Sequence, residues 1–200
     1  MKIICIGKNY RPESPGWKAP DEPVIFLKPD SSLLHKGNPF FIPEFSQKIT
    51  VEAELAVRIC RLGKYIDAKF AHKYYDAFTV GLDFTAQDLY DRLSAEGLPI
   101  DIAKGFDGAV VLGEWIDKTS LPSSETRFSL QRNGQEIAAG NTTDMLFSVD
   151  QLIAAASKYY TLKIGDVILT GSPAASVPVS GEECLTGRLE GREVFALRIK

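Results

Sequence analysis

The chain has 200 residues, of which 44% are hydrophobic and 24% are charged, and its formal net charge at pH 7 is −3. A chain of this length is expected to form one domain, residues 1–200, with a sizeable core. The mildly acidic balance gives no electrostatic reason to expect nucleic acid or an anionic membrane as a partner. No apolar run is long enough to span a bilayer, so a membrane protein is not expected.

The first ten residues, MKIICIGKNY, predict a short strand over 3–7 that continues into a polar loop. They lack the apolar region and the cleavage site of a signal peptide, so we expect a cytoplasmic protein. The three cysteines are odd in number and are expected to be reduced. No CxxC pair is present and the two histidines, His35 and His72, are far apart, which argues against a zinc or histidine-based centre.

The loop at residues 8–23, KNYRPESPGWKAPDEP, separates the first strand from a second one, VIFLKP, which ends at Pro29. The prolines and the glycine of this loop would let it move as a unit of stiff pieces, so we expect a mobile lid there. A longer strand is predicted at about 50–60. Asp67 is positioned to cap a helix over about 68–76.

The rest of the chain adds more strands than helices. The segment AFTVGLDF predicts a strand, and Thr85 with Asp88 matches a capping box for the helix that follows. Asn133-Gly134 marks a hairpin, and a second capping box, in SVDQ, starts another helix. Because strands dominate without a regular βαβ alternation, we predict an α+β fold. We expect a mixed, mostly antiparallel β-roll or barrel-like sheet with a few flanking short helices.

Two carboxylates interrupt the apolar strand ITVEAELAVRIC. Side chains alternate across a strand, so Glu52 and Glu54 share one face. The alternating apolar residues are expected to face the core: Val51, Ala53, Leu55 and Val57. One interpretation of the carboxylates is a solvated face of a half-buried antiparallel strand. The other is a pair of oxygen ligands for a hard cation such as Mg²⁺ or Mn²⁺, which would remove the repulsion between them.

A third carboxylate is needed to decide between these interpretations. Asp83 is the candidate, because it lies at the end of the strand AFTVGLDF, just before a helix begins. Sites tend to lie where strands end and helices start. The alternative role for Asp83 is a helix cap.

Six segments, taken in order, resemble the fumarylacetoacetate hydrolase family over nearly the whole chain. They are IICIGKNY, EPVIFLKPDSSLL, the Glu-Ala-Glu at 52–54 with Asp83, AKGFDG, NGQEIAAGNTTDMLFSVDQLIAAAS and LKIGDVILTGSPAASVPV. Each motif alone is weak, and their shared order makes the resemblance specific. It implies the family's mixed β-roll, usually a homodimer, acting on small 2-oxo acids, acylpyruvates or 1,3-dicarbonyl acids.

The resemblance also implies a set of site residues. Glu52, Glu54 and Asp83 match the ligands of the family's cation, expected to be Mg²⁺ or Mn²⁺ with Ca²⁺ as a further candidate. Lys104 matches a conserved catalytic lysine, placed to stabilise an enolate oxygen beside the ion. The expected substrate-binding residues are Tyr10, Gln87, Thr170 and Ser172.

The chain departs from the family pattern in the lid and beside the site. Hydrolytic members carry a His–Glu pair there that activates water, and the matching positions hold Glu13 and Gly16. Gln87 stands where an arginine is common, and Lys8 replaces another common arginine. We therefore expect enolate chemistry, as a tautomerase or isomerase or as a decarboxylase, with Glu13 as the candidate base.

Three alternatives remain open at this point. In the first, the chain is an acylpyruvate-type C–C hydrolase that uses another base. In the second, it is a catalytically impaired relative that still binds a metal and an oxo acid. The third is a β-rich interaction domain whose carboxylates are solvated.

Overall fold

The computed structural model describes residues 1–11, 16–122 and 125–200. The strands are β1 (Ile3–Gly7), β2 (Val24–Lys28), β3 (Ile49–Ile59), β4 (Tyr75–Ala86), β5 (Val110–Leu112), β6 (Ile116–Asp117), β7 (Arg127–Arg132), β8 (Gln135–Asn141), β9 (Val167–Leu169), β10 (Val177–Pro178), β11 (Cys184–Leu189) and β12 (Arg192–Arg198). The helices are α1 (Ala68–Ala71), α2 (Gln87–Ala95), α3 (Asp101–Lys104) and α4 (Val149–Tyr159). Across the described ranges, no helix combines the length and the apolar character needed to cross a membrane.

The strands form two open sheets. The larger sheet has the order β2-β1-β9-β3-β4-β5, with β10 also paired to β3 and β6 to β4, and the smaller has the order β12-β11-β7-β8. The β1–β9 pair is parallel, and the other strand pairs of the described chain are antiparallel. The predicted α+β class, with mixed, mostly antiparallel sheets and short helices, is confirmed. The sheets are open and do not close into a barrel.

One part of the core joins the two sheets, and another lies between the larger sheet and α4; β3 contributes to both. The stripe predicted to face the core is buried along its whole length, from Val51 to Val57. The opposite face of β3 is buried as well, since Ala56 is 0% exposed and Glu54 is 3% exposed. A strand with one solvated face, which was one interpretation of its carboxylates, is therefore wrong.

Two local signals in the second half of the chain are confirmed. The hairpin between β7 and β8 turns at Asn133 and Gly134, whose φ angles of 49° and 83° match the left-handed geometry of a tight hairpin turn. Helix α4 begins with a full capping box, since Ser148 accepts a hydrogen bond from the Gln151 N–H and the Gln151 side chain accepts one from the Ser148 N–H.

The two earlier helix predictions need correction. Asp67 does cap α1, but the helix ends at Ala71 and not near 76, because the chain turns directly into β4. The capping box at Thr85 and Asp88 does not form, and α2 starts without a side-chain cap. Asp88 instead accepts one hydrogen bond from the Ser46 hydroxyl and another from the Gln47 N–H. A tertiary contact thus uses the carboxylate that the local pattern assigned to the helix.

Candidate metal centre and active site

Three carboxylates meet on one side of the β3–β4 pair. The strand register sets Glu52 opposite Asp83 and Glu54 opposite Gly81. One oxygen from each of Glu52, Glu54 and Asp83 lies within 4.8 Å of the others. Glu54 and Asp83 are buried and Glu52 is half-buried, so the cluster faces a cavity and not bulk water. The alternation within β3 and the pairing with β4 are enough to bring the three groups together.

Lys104, at the end of α3, directs its ammonium into this cluster. Its Nζ lies 3.3 Å from Asp83 Oδ2 and 3.6 Å from Glu52 Oε2, and it donates a hydrogen bond of 2.8 Å to Thr85 Oγ1. The side chain is only 12% exposed. Lys104 is therefore a fixed positive charge of the site.

A second lysine, Lys28, was not identified from the sequence. It is the last residue of β2 and its side chain is fully buried. Its ammonium pairs with Asp83 Oδ1 and donates hydrogen bonds of 2.8 Å to Phe84 O and 3.2 Å to Ala109 O. Asp83 is thus held from both sides, with one oxygen on Lys28 and the other facing Lys104. The alternation in VIFLK puts this lysine on the same face as Val24 and Phe26, but Val24 is 43% exposed, so the pattern alone does not predict the burial of Lys28.

The charges of the cluster do not balance within the chain. With all three carboxylates ionised, as cation ligands must be, Glu52, Glu54 and Asp83 carry three negative charges, and Lys28 and Lys104 carry two positive ones. One net negative charge is left in a largely buried space. A divalent cation would turn this into one net positive charge, which suits an anionic ligand.

The protonation of these groups shows the same imbalance. Burial raises the pKa of Glu54 well above its usual range, and the negative charges of Asp83 and Glu52 raise it further. Burial also raises the pKa of Glu52, while the charge of Lys104 opposes that shift. Burial acts to lower the pKa of Lys104, but the surrounding carboxylates outweigh it and hold that pKa above its ordinary value. Lys104 is therefore a cation at neutral pH and not a base.

The residues of the cluster fit a hard divalent cation. Their donor atoms are carboxylate oxygens, which Mg²⁺ and Mn²⁺ prefer over nitrogen or sulfur. A bound cation would also offset the repulsion that raises the pKa of Glu54. The chain thus supplies the ligand type, the charge and the proximity that such an ion requires.

The loop after β9 holds the carboxylate of Glu54 in place. Gly171 has a φ of 96°, and its N–H donates a hydrogen bond of 2.6 Å to Glu54 Oε2. A Cβ at this position would lie 3.0 Å from both Asn9 Cβ and Ile6 O, so the position favours glycine on two counts. The Asn9 side chain holds the same loop in place by bonding to Thr170 O at 2.9 Å and to the backbone of Phe147.

The cluster opens into a cavity of about 390 Å³ between β1, β2, the β3–β4 pair, α2 and the loop after β9. Its wall consists of Ile6, Gly7, Lys8, Val24, Phe26, Glu52, Glu54, Asp83, Thr85, Gln87, Tyr90, Ile100, Lys104, Ser172 and Ser176.

Two of the four expected substrate-binding residues line this cavity, and two do not. Gln87 and Ser172 are in the wall. Tyr10 is buried in the core around Leu55, and Thr170 is fully buried behind the wall, where its carbonyl holds Asn9. The candidate base Glu13 lies outside the described residues.

Comparison with known proteins agrees with the fold and the cluster. The model of the fumarylacetoacetate (FAA) hydrolase C-terminal domain matches residues 2–195. The chain belongs to the fumarylacetoacetate hydrolase family. Within it, oxaloacetate tautomerase YcgM of Escherichia coli is 33% identical over 197 residues, which cover 96% of this chain and 90% of that protein. The mitochondrial oxaloacetate tautomerase of Bos taurus is 31% identical over 201 residues, which cover 99% and 90%.

Solved structures of the fumarylacetoacetate hydrolase family share the same architecture. Fumarylpyruvate hydrolase from Pseudomonas aeruginosa, solved in complex with Mn²⁺ and pyruvate, superposes with a TM-score of 0.89 at 25% identity, covering 100% of this chain and 89% of that chain. The 5-carboxymethyl-2-hydroxymuconate delta-isomerase from Mycobacterium smegmatis gives 0.85 at 32% identity, covering 99% and 78%. The expected family and its character as a family of enzymes are confirmed, and these relatives carry out more than one type of reaction.

Proposed function

We propose that the protein is a divalent-cation-dependent enzyme that acts on a small 2-oxo acid or 1,3-dicarbonyl acid through its enolate, as a tautomerase or isomerase or as a decarboxylase. The observation that carries this proposal is the cluster of Glu52, Glu54 and Asp83 beside the cationic Lys104, at the base of a cavity. The names of the relatives support it, because two are oxaloacetate tautomerases and a third protein was solved with Mn²⁺ and pyruvate.

Glu52, Glu54 and Asp83 would hold Mg²⁺ or Mn²⁺. When bound, such an ion supplies a Lewis acid for the oxygens of the substrate. Lys104 adds a fixed positive charge in the same space, where it stabilises negative charge on a substrate oxygen. Thr85 and Asp83 orient that ammonium through hydrogen bonds of 2.8 Å and 3.3 Å, so no reorganisation of Lys104 is needed as charge develops.

Interconversion of enol and keto forms moves only a proton, which leaves the enol oxygen and is added to the neighbouring carbon. The chain must therefore supply a group that carries this proton. Lys104 does not meet this need as a base, because its ammonium is held as a cation by contacts with Asp83 and Thr85. Glu13, in the position where hydrolytic members have a His, remains the predicted base. The cytoplasmic location and the homodimer also remain predictions from the sequence.

The proposal is tested by metal binding and turnover in the same protein. We expect calorimetry to show one Mn²⁺ site and Glu54→Gln to lose most of the affinity, since the remaining carboxylates cannot replace the lost charge. The matched control is Glu114→Gln, because Glu114 is exposed on the surface and pairs with Lys36 outside the cavity. Unchanged Mn²⁺ affinity in Glu54→Gln, or affinity reduced equally in the control, would contradict the metal site.

Turnover separates the reaction types. We expect Mn²⁺-dependent conversion of enol-oxaloacetate or another 2-oxo acid enol to the keto form, and loss of that activity in Lys104→Met with Mn²⁺ binding retained. Release of pyruvate from fumarylpyruvate would instead favour the hydrolase alternative. Mn²⁺ binding without any turnover across a panel of oxo acids would favour the catalytically impaired relative.

A further inference from the structure

The wall of the cavity has a polar floor and an apolar outer half, and the same arrangement recurs on three elements. On β2, Lys28 is buried beneath the floor, where it pairs with Asp83; Phe26 follows on the same face and lines the cavity, and Val24 is 43% exposed at the mouth. The centre of the Phe26 ring lies 5.3 Å from Lys104 Nζ, which places this ring directly beside the floor. Among the described residues of β2, a group that extends outward from the floor meets the apolar side chains of Phe26 and Val24.

The two helices repeat this order. In α3, Lys104 points to the floor and Ile100 lies one turn before it, with the Ile100 carbonyl accepting the Lys104 N–H at 3.2 Å. In α2, Tyr90 lies three residues after Gln87, so both share one face of the helix and both line the cavity. Each of the three elements thus presents a polar residue inward and an apolar or aromatic residue one repeat outward.

We infer that the outer half of the cavity, formed by Val24, Phe26, Tyr90 and Ile100, binds an apolar or aromatic arm on carbon 3 of the oxo acid. The enzyme would then prefer aryl- or alkyl-substituted pyruvates over dicarboxylates such as oxaloacetate. This inference rests on the proposed function, because the floor is taken to hold the oxo-acid end of the substrate.

The polar groups nearest to this outer half are already engaged within the chain. Gln87 accepts a hydrogen bond of 3.2 Å from Thr50 and donates one of 2.7 Å to Asp91, so its amide oxygen and one of its two amide hydrogens are engaged. Ser172 donates its hydroxyl hydrogen to Ala174 O at 2.8 Å. A carboxylate placed against the apolar wall would lose water without gaining a charged donor there, which is unfavourable.

The competing site for a distal carboxylate is Lys8 at the rim. Lys8 is exposed and lines the cavity, and its φ of 58° fixes its backbone in the left-handed region. A carboxylate bound there would remain in water, where a charge pair contributes little. An aryl group against the outer half would be removed from water on several sides, so the apolar arm gains more from this wall.

The test compares two substrates that differ only in the group on carbon 3, enol-phenylpyruvate and enol-oxaloacetate, with the Mn²⁺-loaded enzyme. We expect kcat/KM for phenylpyruvate to exceed that for oxaloacetate by about 10-fold or more, the size of effect that a hydrophobic subsite produces. Tyr90→Ala should lower the phenylpyruvate value about 10-fold and the oxaloacetate value by a much smaller factor, so that the preference is lost. Tyr90→Phe, the matched control, should keep the preference, because it retains the ring and loses the hydroxyl.

A charge placed in the outer half should reverse the preference. Ile100→Arg is expected to favour oxaloacetate over phenylpyruvate, since it puts a carboxylate-binding group in the apolar wall. The inference would be overturned if wild type prefers oxaloacetate and Lys8→Met removes that preference. It would equally be overturned if Tyr90→Phe loses phenylpyruvate activity as fully as Tyr90→Ala does, since the wall would then act through a hydroxyl.

Binding separates this inference from the proposed function. Oxalate offers a pair of chelating oxygens like the carboxylate and ketone oxygens of a 2-oxo acid, and it has no arm. It is titrated into the Mn²⁺-loaded protein by calorimetry. Phenylpyruvate should then displace oxalate at a lower concentration than oxaloacetate does, whether or not either is turned over. Oxalate binding with oxaloacetate as the stronger competitor would overturn the apolar arm alone. Failure to bind Mn²⁺ and oxalate would overturn both.

Discussion

Replacing Lys28 by methionine removes a buried positive charge and keeps a side chain of similar length. The change leaves Asp83 Oδ1 without its ion-pair partner and takes a hydrogen-bond donor from Phe84 O and Ala109 O. All of these groups are enclosed by protein, so water does not replace the lost ammonium. We therefore expect Lys28→Met to destabilise the fold strongly, although methionine itself packs well in an apolar environment.

Breaking a buried ion pair from one side costs about 3–5 kcal/mol, because the remaining charge has no compensation. We expect Lys28→Met to lower the free energy of unfolding by about that amount when divalent ions are removed with a chelator. A bound Mn²⁺ would bring new positive charge beside Asp83, so the difference from wild type should become smaller in its presence. The double variant Lys28→Met/Asp83→Asn should be more stable than Lys28→Met alone, since the uncompensated charge is gone.

The measurement is urea unfolding followed by circular dichroism, with and without Mn²⁺. Lys36→Met is the matched control, because its pair with Glu114 is 3.0 Å long but the two side chains are 81% and 51% exposed. Such an exposed pair contributes about 0–1 kcal/mol. If the two single variants unfold at the same urea concentration, Lys28 does not stabilise Asp83 and the account of the buried pair is refuted.

Three further substitutions test the fold. Leu55→Ala, at a fully buried position, should cost about 2–5 kcal/mol in urea unfolding, and a wild-type midpoint would show that the core face of β3 is misassigned. Ser148→Ala removes the cap of α4 and should cost about 1 kcal/mol, whereas Ser148→Asp should retain most of the stability. Gly187→Ala would place a Cβ 2.2 Å from the ring of Phe195, so it should lower the thermal midpoint, and an unchanged midpoint would mean that the ring moves freely.

Much of the candidate site was predictable because it follows from local patterns. Alternation in β3 put Glu52 and Glu54 on one face, and Asp83 was found as a polar residue of the adjacent strand, although that strand continues beyond it to Ala86. These inferences need only the geometry of one strand pair. The same is true of the Asn133-Gly134 turn, whose backbone geometry depends on its own two residues.

The remainder depended on contacts between distant parts of the chain. Lys28 is charged, and a charged residue is normally assigned to the surface, so its burial could be recognised only once the partner carboxylate was in place. Asp88 fitted the local capping pattern, but Ser46, 42 residues away, holds its carboxylate. The position of β9 between β1 and β3 likewise follows from tertiary packing, and the order of the strands along the chain does not predict it.

The hydrogen bonds of Asn9 affect the stage of folding at which the site can form. They join the segment just after the first strand to Phe147 and Thr170, residues 138 and 161 positions further along the chain. The N–H that holds Glu54 comes from Gly171, and the parallel pair of β1 with β9 brings that loop into place. Closing such long loops is slow, because their entropy is lost before the contacts form. The carboxylate cluster can therefore come together early through β3 and β4, whereas a cavity able to hold a ligand is among the last features that the folding chain completes.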